Sequence, residues 1–448
     1  MARVIGIDLG TSSIKALYLE RGRQAEWEAP WTSGADLGQA FQRLLLEIGQ
    51  TVNLEALDAL GLSGQTGTYY LLDRNLSIRH RIPWHQPGRE AALDQVLSET
   101  SPEKYLALTG MEHPRLASYP LPTIRYLRSI CAPQAGDLLL QPKDYLTLLL
   151  CGEALSDPGS WRGLADPVHH TYARELLIGS GLDALSLPRL TTVGTVCGSG
   201  AHAFGLRAGM PVYVGMNDFY SSLVGMGIAQ ADEAFDVAGT SEHIGVTRSA
   251  PVRTHMVCSP YQNRFVHYGV TSGSGVSLAW ARGLFGEKEP AVPGKAPLFL
   301  PYLQGERAPV FDEKARGLFM GLSGDCGAET LLYSVYEGVV FSLYQIFQSL
   351  GARHSGTLHA TGGPSKSRLL NRMKAALFGM TVLTLPLSCG SALGAARLAG
   401  GEYDEAPLET PPEDSLRQHL ARRFEGYCSL YPAWQGFAGK ADTTALFN

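Results

Sequence analysis

The chain opens with two short runs of apolar, β-prone residues, 4–8 and 14–19, which predict two strands. Between them lies a polar turn, Gly10-Thr11-Ser12-Ser13. Gly10 permits a positive φ, and the hydroxyls and amides that follow can point at an anion. Asp8 ends the first strand, and a carboxylate beside a phosphate site makes sense when Mg²⁺ lies between them. The alternative is an ordinary β-hairpin with a polar turn, and this stretch alone leaves both interpretations open.

A second stretch, residues 234–247, repeats the plan of strand, polar turn and strand. Its turn is Gly239-Thr240-Ser241, and Glu242 follows directly. Two similar hairpins about half a chain apart predict a duplicated architecture that grips one phosphate chain from both sides.

The segments that follow the first hairpin predict further elements of a mixed α/β chain. Residues 36–50 have helical apolar spacing, residues 56–63, 69–72 and 78–82 have strand patterns, and residues 90–155 are mainly helical. A loop containing Gln65, Thr66 and Gly67 separates two of these strands. A later loop carries Trp84, which is either a packing residue or a stacking face for a sugar.

Two aspartates in the first half are candidates for chemistry. Asp157 lies in a turn-rich loop, where it is either a substrate acceptor or a turn cap. Asn217-Asp218 follows a short apolar strand and precedes a helix of small residues, so Asp218 lies where a helix N-cap is expected. From the local sequence, Asp218 is either that cap or a general base.

In the second half, residues 357–361 predict a strand, and Gly362-Gly363-Pro364-Ser365-Lys366-Ser367 then opens a helix. Paired glycines between a strand and a helix let a nucleotide approach the backbone closely. The stretch is not a Walker A loop, because G-x-x-x-x-G-K-[ST] is absent.

Composition is that of an ordinary globular protein: 448 residues, 45% hydrophobic and 18% charged. This length predicts two or three domains, and we expect a boundary near residues 228–233. A net charge of −5 without a long basic run argues against nucleic acid as a partner. Seven scattered cysteines favour a reducing, cytoplasmic location. We expect no signal peptide, since the first strand starts at Val4, and no membrane partner.

Taken in order, these motifs resemble the FGGY family of carbohydrate kinases, and within it the bacterial xylulokinases most. Residues 5–12 resemble the first phosphate motif, Gly239-Thr240-Ser241 the second, and Gly362-Gly363 the adenosine motif. Residues 62–65, 142–146, 299–307 and 317–322 add to the resemblance. The resemblance implies an α/β fold of two actin/hexokinase-like (ribonuclease H-like) domains, with an ATP and sugar cleft between them. Residues 1–230 would bind the sugar and carry the catalytic aspartate, and residues 231–448 would bind ATP.

The resemblance also implies a reaction, in which Asp218 accepts a proton from a sugar hydroxyl as the hydroxyl attacks ATP. The most expected product is D-xylulose 5-phosphate from D-xylulose, and Mg²⁺ would be held by Asp8 and Asp218. The implied ATP-binding residues are Gly10, Thr11, Ser12, Lys15, Gly239, Thr240, Ser241, Gly362, Gly363 and Ser367. The implied sugar-binding residues are Gln65, Thr66, Gly67, Trp84, Asp157, Asn217 and Asp218. A homodimer is plausible for such kinases.

The chain departs from the xylulokinase pattern in its sugar loops and at the second phosphate turn. Thr66-Gly67 replaces Met-His, and His85-Gln86 replaces Asn-Asp. Glu242 replaces a glycine, and a carboxylate there could repel the triphosphate. These departures leave other ketoses, polyols and sugar acids open as substrates, such as ribulose, glycerol and gluconate. They also leave open a sugar-independent ATPase or a catalytically silent sugar-binding regulator.

Overall fold

The computed structural model describes residues 2–31, 36–114, 116–131, 133–178, 185–197 and 204–438. The strands are β1 (Val4–Leu9), β2 (Ser13–Glu20), β3 (Arg23–Pro30), β4 (Ala59–Gly64), β5 (Tyr69–Leu72), β6 (Ile78–Ile82), β7 (Leu138–Leu140), β8 (Leu155–Ser156), β9 (Ala165–Asp166), β10 (Thr171–Tyr172), β11 (Arg189–Leu190), β12 (Val196–Cys197), β13 (Val212–Tyr213), β14 (Ala234–Ala238), β15 (Glu242–Arg248), β16 (Val257–Tyr261), β17 (Arg264–Thr271), β18 (Leu298–Leu300), β19 (Leu318–Met320), β20 (Thr357–Gly362), β21 (Thr381–Thr384) and β22 (Leu408–Thr410). The α-helices are α1 (Leu37–Ile48), α2 (Glu90–Glu99), α3 (Pro102–Thr109), α4 (Pro120–Ile130), α5 (Pro142–Cys151), α6 (Asp218–Gly225), α7 (Gly275–Phe285), α8 (Ala328–Ser349), α9 (Arg368–Phe378), α10 (Gly390–Leu398), α11 (Asp414–Tyr427) and α12 (Leu430–Ala438). The α/β class predicted from the sequence is confirmed.

The chain divides into two compact units. The first unit comprises Met1–Gly227, Ser259–Tyr261 and Cys389–Asp404. The second comprises Ile228–Cys258, Gln262–Ser388 and Glu405–Asn448. Helix α10 therefore belongs to the first unit, although most of the sequence around it belongs to the second.

A six-stranded sheet with the order β12-β13-β4-β1-β2-β3 forms the centre of the first unit. Strand β1 pairs antiparallel with β2 and parallel with β4, and β4 pairs parallel with β13. The parallel strands β1, β4 and β13 therefore end at one edge of the sheet. In open α/β sheets this edge is where ligands bind.

Strand β1 is buried on both faces. Ile5 and Ile7 join one apolar cluster with Phe41 and Leu44 of α1. On the opposite face, a Cβ atom on Gly6 would lie 1.9 Å from the backbone oxygen of Ala392 in α10. Only glycine allows the two backbones to approach this closely, so α10 packs directly on the strand that carries Asp8.

The second unit repeats this plan in a seven-stranded sheet with the order β16-β17-β15-β14-β20-β21-β22. Strand β14 pairs antiparallel with β15 and parallel with β20, as β1 does with β2 and β4. Side chains of the long helix α8, such as Val340 and Ile346, share its apolar core with Ile244 and Val246 of β15. The duplicated architecture predicted from the two hairpins is confirmed in the strand order of each unit.

No described helix is both long enough and apolar enough to cross a membrane.

Candidate active site

The turn Gly10-Thr11-Ser12, predicted to bind phosphate and called the first phosphate turn below, connects β1 to β2 and is fixed by backbone hydrogen bonds. The amide of Gly10 donates to the carbonyl oxygen of Ser13 at 3.0 Å, and the amide of Trp31 donates to Ser12 at 2.9 Å. The Ser13 hydroxyl donates to Glu28 at 2.6 Å. Thr11 and Ser12 are exposed, so the turn presents them to solvent on a fixed backbone. This arrangement suits the binding of an anion.

Asp8 lies directly below this turn and is 6% exposed. Its two carboxylate oxygens accept hydrogen bonds from Ser63 of β4 at 3.0 Å and from Ser391 of α10 at 2.6 Å. Burial raises the pKa of Asp8, while the two serine hydroxyls and the positive charge of Lys15 lower it. Lys15 pairs with Asp8 across the hairpin. The carboxylate is therefore held in one orientation from two other elements of the unit.

Asp218 is the first residue of α6. The interpretation of Asp218 as the helix N-cap is wrong, because Asn217 is the cap and its side-chain oxygen accepts from the amide of Tyr220 at 2.9 Å. The sequence Asn-Asp offers two capping residues, and the backbone at Asn217 is the extended one. The carboxylate of Asp218 accepts from the amide of Phe219 at 2.8 Å. Its other oxygen is left available for chemistry.

The electrostatics of Asp218 fit a general base. Burial, and then repulsion from Asp8, raise the pKa of Asp218 to about 7, against the lowering effects of the Phe219 amide and of Arg162. A carboxylate with a pKa near neutrality can both accept and hold a proton during a reaction. Asp8 and Asp218 thus lie close enough to interact as like charges.

These two carboxylates fit a divalent cation that is completed by other ligands. Within the described ranges, no group of three or more His, Cys, Asp and Glu side chains could hold a metal ion. Mg²⁺ commonly binds through one or two carboxylates together with water and substrate phosphates. A positive ion would also relieve the repulsion between Asp8 and Asp218, so the pair is chemically suited to Mg²⁺ delivered with a nucleotide.

The topology brings the loop Gln65-Thr66-Gly67, predicted to contact the sugar and called the sugar loop below, to the same edge of the sheet. Leu9 and Gly64 are register partners at the ends of β1 and β4, and Gly64 bridges to Asn217. Gln65, which follows β4, accepts from the Thr11 hydroxyl at 2.9 Å and donates to the Gly10 carbonyl at 3.2 Å. Gln65 therefore links the phosphate turn to the sugar loop, a structural role in addition to the predicted sugar contact.

The rest of the sugar loop is held by a buried arginine. Gly67 has a φ of +86°, and a Cβ atom there would lie 3.1 Å from side-chain atoms of Trp84 and Ser118. Arg89 is 1% exposed and donates to the carbonyl oxygens of Gly67 and Trp84. The side chain of Trp84 is 39% exposed, so it is not a core packing residue. It remains available as a stacking face.

Asp157 and Asn217 are already engaged by the protein. Asp157 is 1% exposed and accepts from the amide and hydroxyl of Ser160, and Lys143 lies 3.2 Å away. The geometry favours the turn-cap interpretation of Asp157. The amide nitrogen of Asn217 donates to the carbonyl oxygen of Gly159 at 3.3 Å. Both residues shape the loops around Asp218.

In the second unit, the turn Gly239-Thr240-Ser241 follows β14 as Gly10–Ser12 follows β1. The amide of Gly239 donates to the carbonyl oxygen of Ser241 at 2.9 Å, and Gly239 and Thr240 are exposed. Gly362 ends the neighbouring parallel strand β20 as the register partner of Ala238. The turn and the paired glycines therefore meet at one sheet edge, as a nucleotide site requires.

The segment after these glycines differs from the prediction. The helix expected to open at Pro364 begins at Arg368, and Pro364–Lys366 forms one 3₁₀ turn. Ser367 is the N-cap of α9, accepting from Leu370 at 3.1 Å, and its hydroxyl donates to Glu289. A cavity of about 240 Å³ lies there, with Glu289 and Arg368 in its lining. Ser367 is therefore linked to this cavity through Glu289, which accepts its hydrogen bond and lines the space.

The charge predicted beside the second turn is not exposed. Glu242 is completely buried, and its carboxylate lies 2.5 Å from the ammonium nitrogen of Lys374. The expectation that this carboxylate would face and repel a triphosphate is therefore not supported by its orientation.

Sequence reasoning missed the residues that act on the site from distant segments, chiefly Ser391, Arg89 and Lys374. Ser391 lies in Gly390–Ala396, a run of small residues whose spacing predicts close helix packing and nothing more. Arg89 ends the loop before α2 as its N-cap residue, and Lys374 lies within α9. No local motif marks these three, because each acts through a partner more than twenty residues away or on another element.

Comparison with known proteins agrees with this geometry. Residues 234–402 match the model of the C-terminal domain of the FGGY family of carbohydrate kinases. The chain is 29% identical to the xylulose kinase of Escherichia coli K12 over 475 aligned positions, covering 94% of this chain and 96% of that protein.

Solved structures share the fold along nearly the whole chain. The ligand-bound xylulose kinase of Lactobacillus acidophilus superposes with a TM-score of 0.83 at 21% identity, covering 98% of this chain and 100% of that one. The gluconate kinase of the same organism gives a TM-score of 0.82 at 20% identity, covering 97% and 99%. The two-domain actin/hexokinase-like fold predicted from the sequence is confirmed.

Proposed function

We propose that the chain, whose residues 234–402 match the C-terminal domain of the FGGY carbohydrate kinases, transfers the γ-phosphoryl group of ATP to a sugar hydroxyl. D-Xylulose is the proposed acceptor and D-xylulose 5-phosphate the product. The similarity to xylulose kinases over nearly the full length of both chains supports this choice.

One observation carries the proposal: Asp218, with a pKa raised to about 7, lies at the sheet edge that also presents the first phosphate turn. A carboxylate base can also activate water for ATP hydrolysis, so dependence of ADP release on a sugar is what separates a kinase from an ATPase. A silent sugar-binding protein has no use for a base with a perturbed pKa. The pairing of a base with a phosphate turn favours phosphoryl transfer.

In the proposed reaction, the sugar hydroxyl donates its proton to the free carboxylate oxygen of Asp218. The hydroxyl oxygen forms a bond to the γ-phosphorus, and the bond from that phosphorus to the β,γ-bridging oxygen breaks, which releases ADP. Backbone amides and hydroxyls of Gly10, Thr11 and Ser12 would stabilise the charge on the phosphoryl oxygens, with Lys15 nearby. The proton on Asp218 then returns to solvent.

Asp8 and Asp218 would hold Mg²⁺, directly or through water. When bound, Mg²⁺ supplies charge neutralisation on the phosphate oxygens. The hydrogen bonds of Asp8 to Ser63 and Ser391 orient the carboxylate for this role.

For the nucleotide, we propose contacts from the second unit. Gly239, Thr240 and Ser241 would bind phosphates through backbone amides and hydroxyls. Gly362 and Gly363 would let the nucleoside approach the backbone, and the cavity beside Ser367 would take the adenine. The lining includes Glu289, Arg368 and Arg372, whose polar groups would offer hydrogen-bond partners to the ring nitrogens of adenine.

For the sugar, we propose contacts from Thr66, Gly67 and Trp84, whose loop is fixed by Arg89. Gln65, Asn217 and Asp157 would act at the edge of the same pocket. Sugars are bound by hydroxyl-directed polar groups together with aromatic faces, and Trp84 offers such a face.

A sugar acid is the second candidate substrate class, because the gluconate kinase structure is as similar as the xylulose kinase structure. The replacement of Met-His by Thr66-Gly67 and of Asn-Asp by His85-Gln86 lies in the loops that would make the difference. The homodimer and the cytoplasmic location stay predictions.

A coupled assay of ADP release tests the proposal across D-xylulose, other ketoses, polyols and gluconate, each with Mg-ATP. We expect release that depends on one sugar and falls at least a hundredfold in Asp218→Asn. An exposed carboxylate changed in the same way, Asp94→Asn in α2, is the matched control. ADP release that is the same with and without every sugar, or that survives in Asp218→Asn, would reject the kinase mechanism.

A further inference from the structure

Three charged side chains are buried together beneath the second phosphate turn. Asp236 lies on β14, Glu242 is the first residue of β15, and Lys374 projects from α9; all three are 0% exposed. The ammonium nitrogen of Lys374 lies 2.5 Å from a carboxylate oxygen of Asp236 and 2.5 Å from one of Glu242. Buried charges are costly unless they are paired, so this cluster needs a reason.

The charges of the cluster balance. Burial raises the pKa of Asp236 well above its usual range, and repulsion by Glu242 adds to the effect, which favours its neutral form. Burial also opposes ionisation of Glu242, but Lys374, Asp236 and Ser274 outweigh it and lower the pKa of Glu242. The neighbouring carboxylates raise the pKa of Lys374, which stays charged. One anion, one cation and one neutral acid sum to zero.

The cluster is joined to the turn. Glu242 follows Ser241 directly, and it accepts a hydrogen bond from the Ser274 hydroxyl. Next to Ser274, a Cβ atom on Gly275 would lie 2.2 Å from the carbonyl oxygen of Gly239. The amide of Val276 donates to the carbonyl oxygen of Thr240 at 3.2 Å. The loop that receives the Glu242 hydrogen bond therefore packs against the backbone of the phosphate turn.

We propose that Lys374 is a positioning residue for the nucleotide, neutralising Glu242 beneath the Gly239–Ser241 turn so that the turn can bind a triphosphate. The inference rests on the proposed function only in that this turn binds ATP. Without the ammonium group, Glu242 loses the cation that lowers its pKa, and wherever it remains ionised its carboxylate, one residue from the turn, would oppose every phosphate charge placed there. Since Glu242 is next to the turn and the protein screens its charge only in part, the repulsion would weaken triphosphate binding by about tenfold or more.

Binding measurements on three variants test the proposal. Lys374→Met leaves Glu242 without its cation, the double variant Glu242→Gln/Lys374→Met removes both charges, and Lys314→Met removes a surface lysine of the same unit as the control. Calorimetry would give the dissociation constants of Mg-ATP, Mg-ADP and adenosine for each protein. Circular dichroism would verify that each variant is folded.

We expect Lys374→Met to weaken Mg-ATP binding at least tenfold at pH 9, with the loss shrinking towards pH 6 as the buried Glu242 takes up a proton. Mg-ADP binding should weaken less, because ADP carries less charge. Adenosine has no phosphate, so its affinity should change by less than twofold. The double variant should return to within threefold of the parent, and Lys314→Met should match the parent. Equal losses for adenosine and ATP in Lys374→Met would overturn the proposal, since they would indicate general damage to the unit.

The double variant decides the matter even when Lys374→Met fails to fold. Loss of ATP affinity in the double variant, in which both charges are gone, would show that neutralisation of Glu242 is not what the turn requires, and the proposed role would be wrong. Because binding is measured without turnover, this result is separate from the kinase assay. A parent that binds ATP but phosphorylates no sugar would reject the proposed function and leave this inference standing. A parent that binds no ATP would reject both.

Discussion

Replacement of Asp218 by asparagine should abolish activity and at the same time stabilise the protein. The change removes the carboxylate that we propose as the base and keeps the shape of the side chain. General bases of this kind contribute about 10²–10⁴ to the rate, so kcat should fall by that factor. The KM values for ATP and sugar should change much less, because asparagine keeps the volume of the side chain.

The stability gain follows from the raised pKa. Burial and Asp8 raise the pKa of Asp218 from 3.8 to about 7. The folded protein therefore holds this proton more tightly than the unfolded chain, so ionisation costs stability as pH rises from about 4 to about 7. Three pH units correspond to ~4 kcal/mol at most. Since solvent reaches part of the side chain, we expect about 2 kcal/mol of this cost.

At pH 8, Asp218→Asn should therefore unfold at a midpoint about 5 °C above that of the parent. At pH 3.5 the carboxyl is mostly protonated in both the folded and the unfolded parent, and the two midpoints should nearly coincide. Thermal unfolding followed by circular dichroism at both pH values gives the comparison. In parallel, kcat/KM of the parent should rise about fivefold between pH 6 and pH 7 and level off above pH 8, because the base must be unprotonated.

Two results would refute this reasoning. A parent whose kcat/KM is flat from pH 5.5 to pH 8.5 would not depend on a base with a pKa near 7. A variant that is inactive but no more stable than the parent at pH 8 would mean that ionisation of Asp218 does not destabilise the folded state. Asp94→Asn in α2 serves as the control for both measurements.

Three further changes have expected outcomes. Ser391→Ala removes the hydrogen bond of 2.6 Å to Asp8, so the pKa of Asp8 should rise further and kcat should fall several-fold, more at pH 6 than at pH 8. A kcat that falls by the same factor at every pH would contradict this. Arg89→Met removes the hydrogen bonds to the carbonyl oxygens of Gly67 and Trp84, so the KM for sugar should rise about tenfold while the KM for ATP stays within twofold. Equal increases in the two KM values would instead indicate unfolding of the unit. Gly394→Val would place a Cβ atom 1.8 Å from the backbone oxygen of Ser221, so the first unit should lose more than 10 °C of its unfolding midpoint; an unchanged midpoint would mean that α10 does not pack on α6 as described.

Local sequence predicted those strands and turns that are formed by residues contiguous in the chain. The two hairpins are buried strands around Gly-Thr-Ser turns, and period-2 apolar runs with glycine between them have few alternatives. Asp8 and Asp218 stand next to such turns, so their candidacy was readable from the chain. Strand β5 (Tyr69–Leu72) and strand β6 (Ile78–Ile82) also have the predicted bounds.

Long-range pairing could not be predicted in this way. The N-cap of α6 is Asn217 and not Asp218, because backbone geometry chooses between two adjacent capping residues. The exposure of Glu242 also depended on a lysine 132 residues away, which turns an apparently repulsive charge into a buried ion pair. Side chains on different elements meet only when the sheets and helices are assembled.

The sequence by itself therefore determined the α/β class, the duplicated hairpins with their Gly-Thr-Ser turns and the resemblance to carbohydrate kinases, because these depend on short periods and contiguous motifs. Only the tertiary structure decided that α10 crosses to the first unit and gives Ser391 to Asp8, that Arg89 holds the sugar loop, and that Lys374 neutralises Glu242. Each of these contacts joins residues far apart in the chain, and their energies come from burial and charge pairing that a linear pattern does not contain.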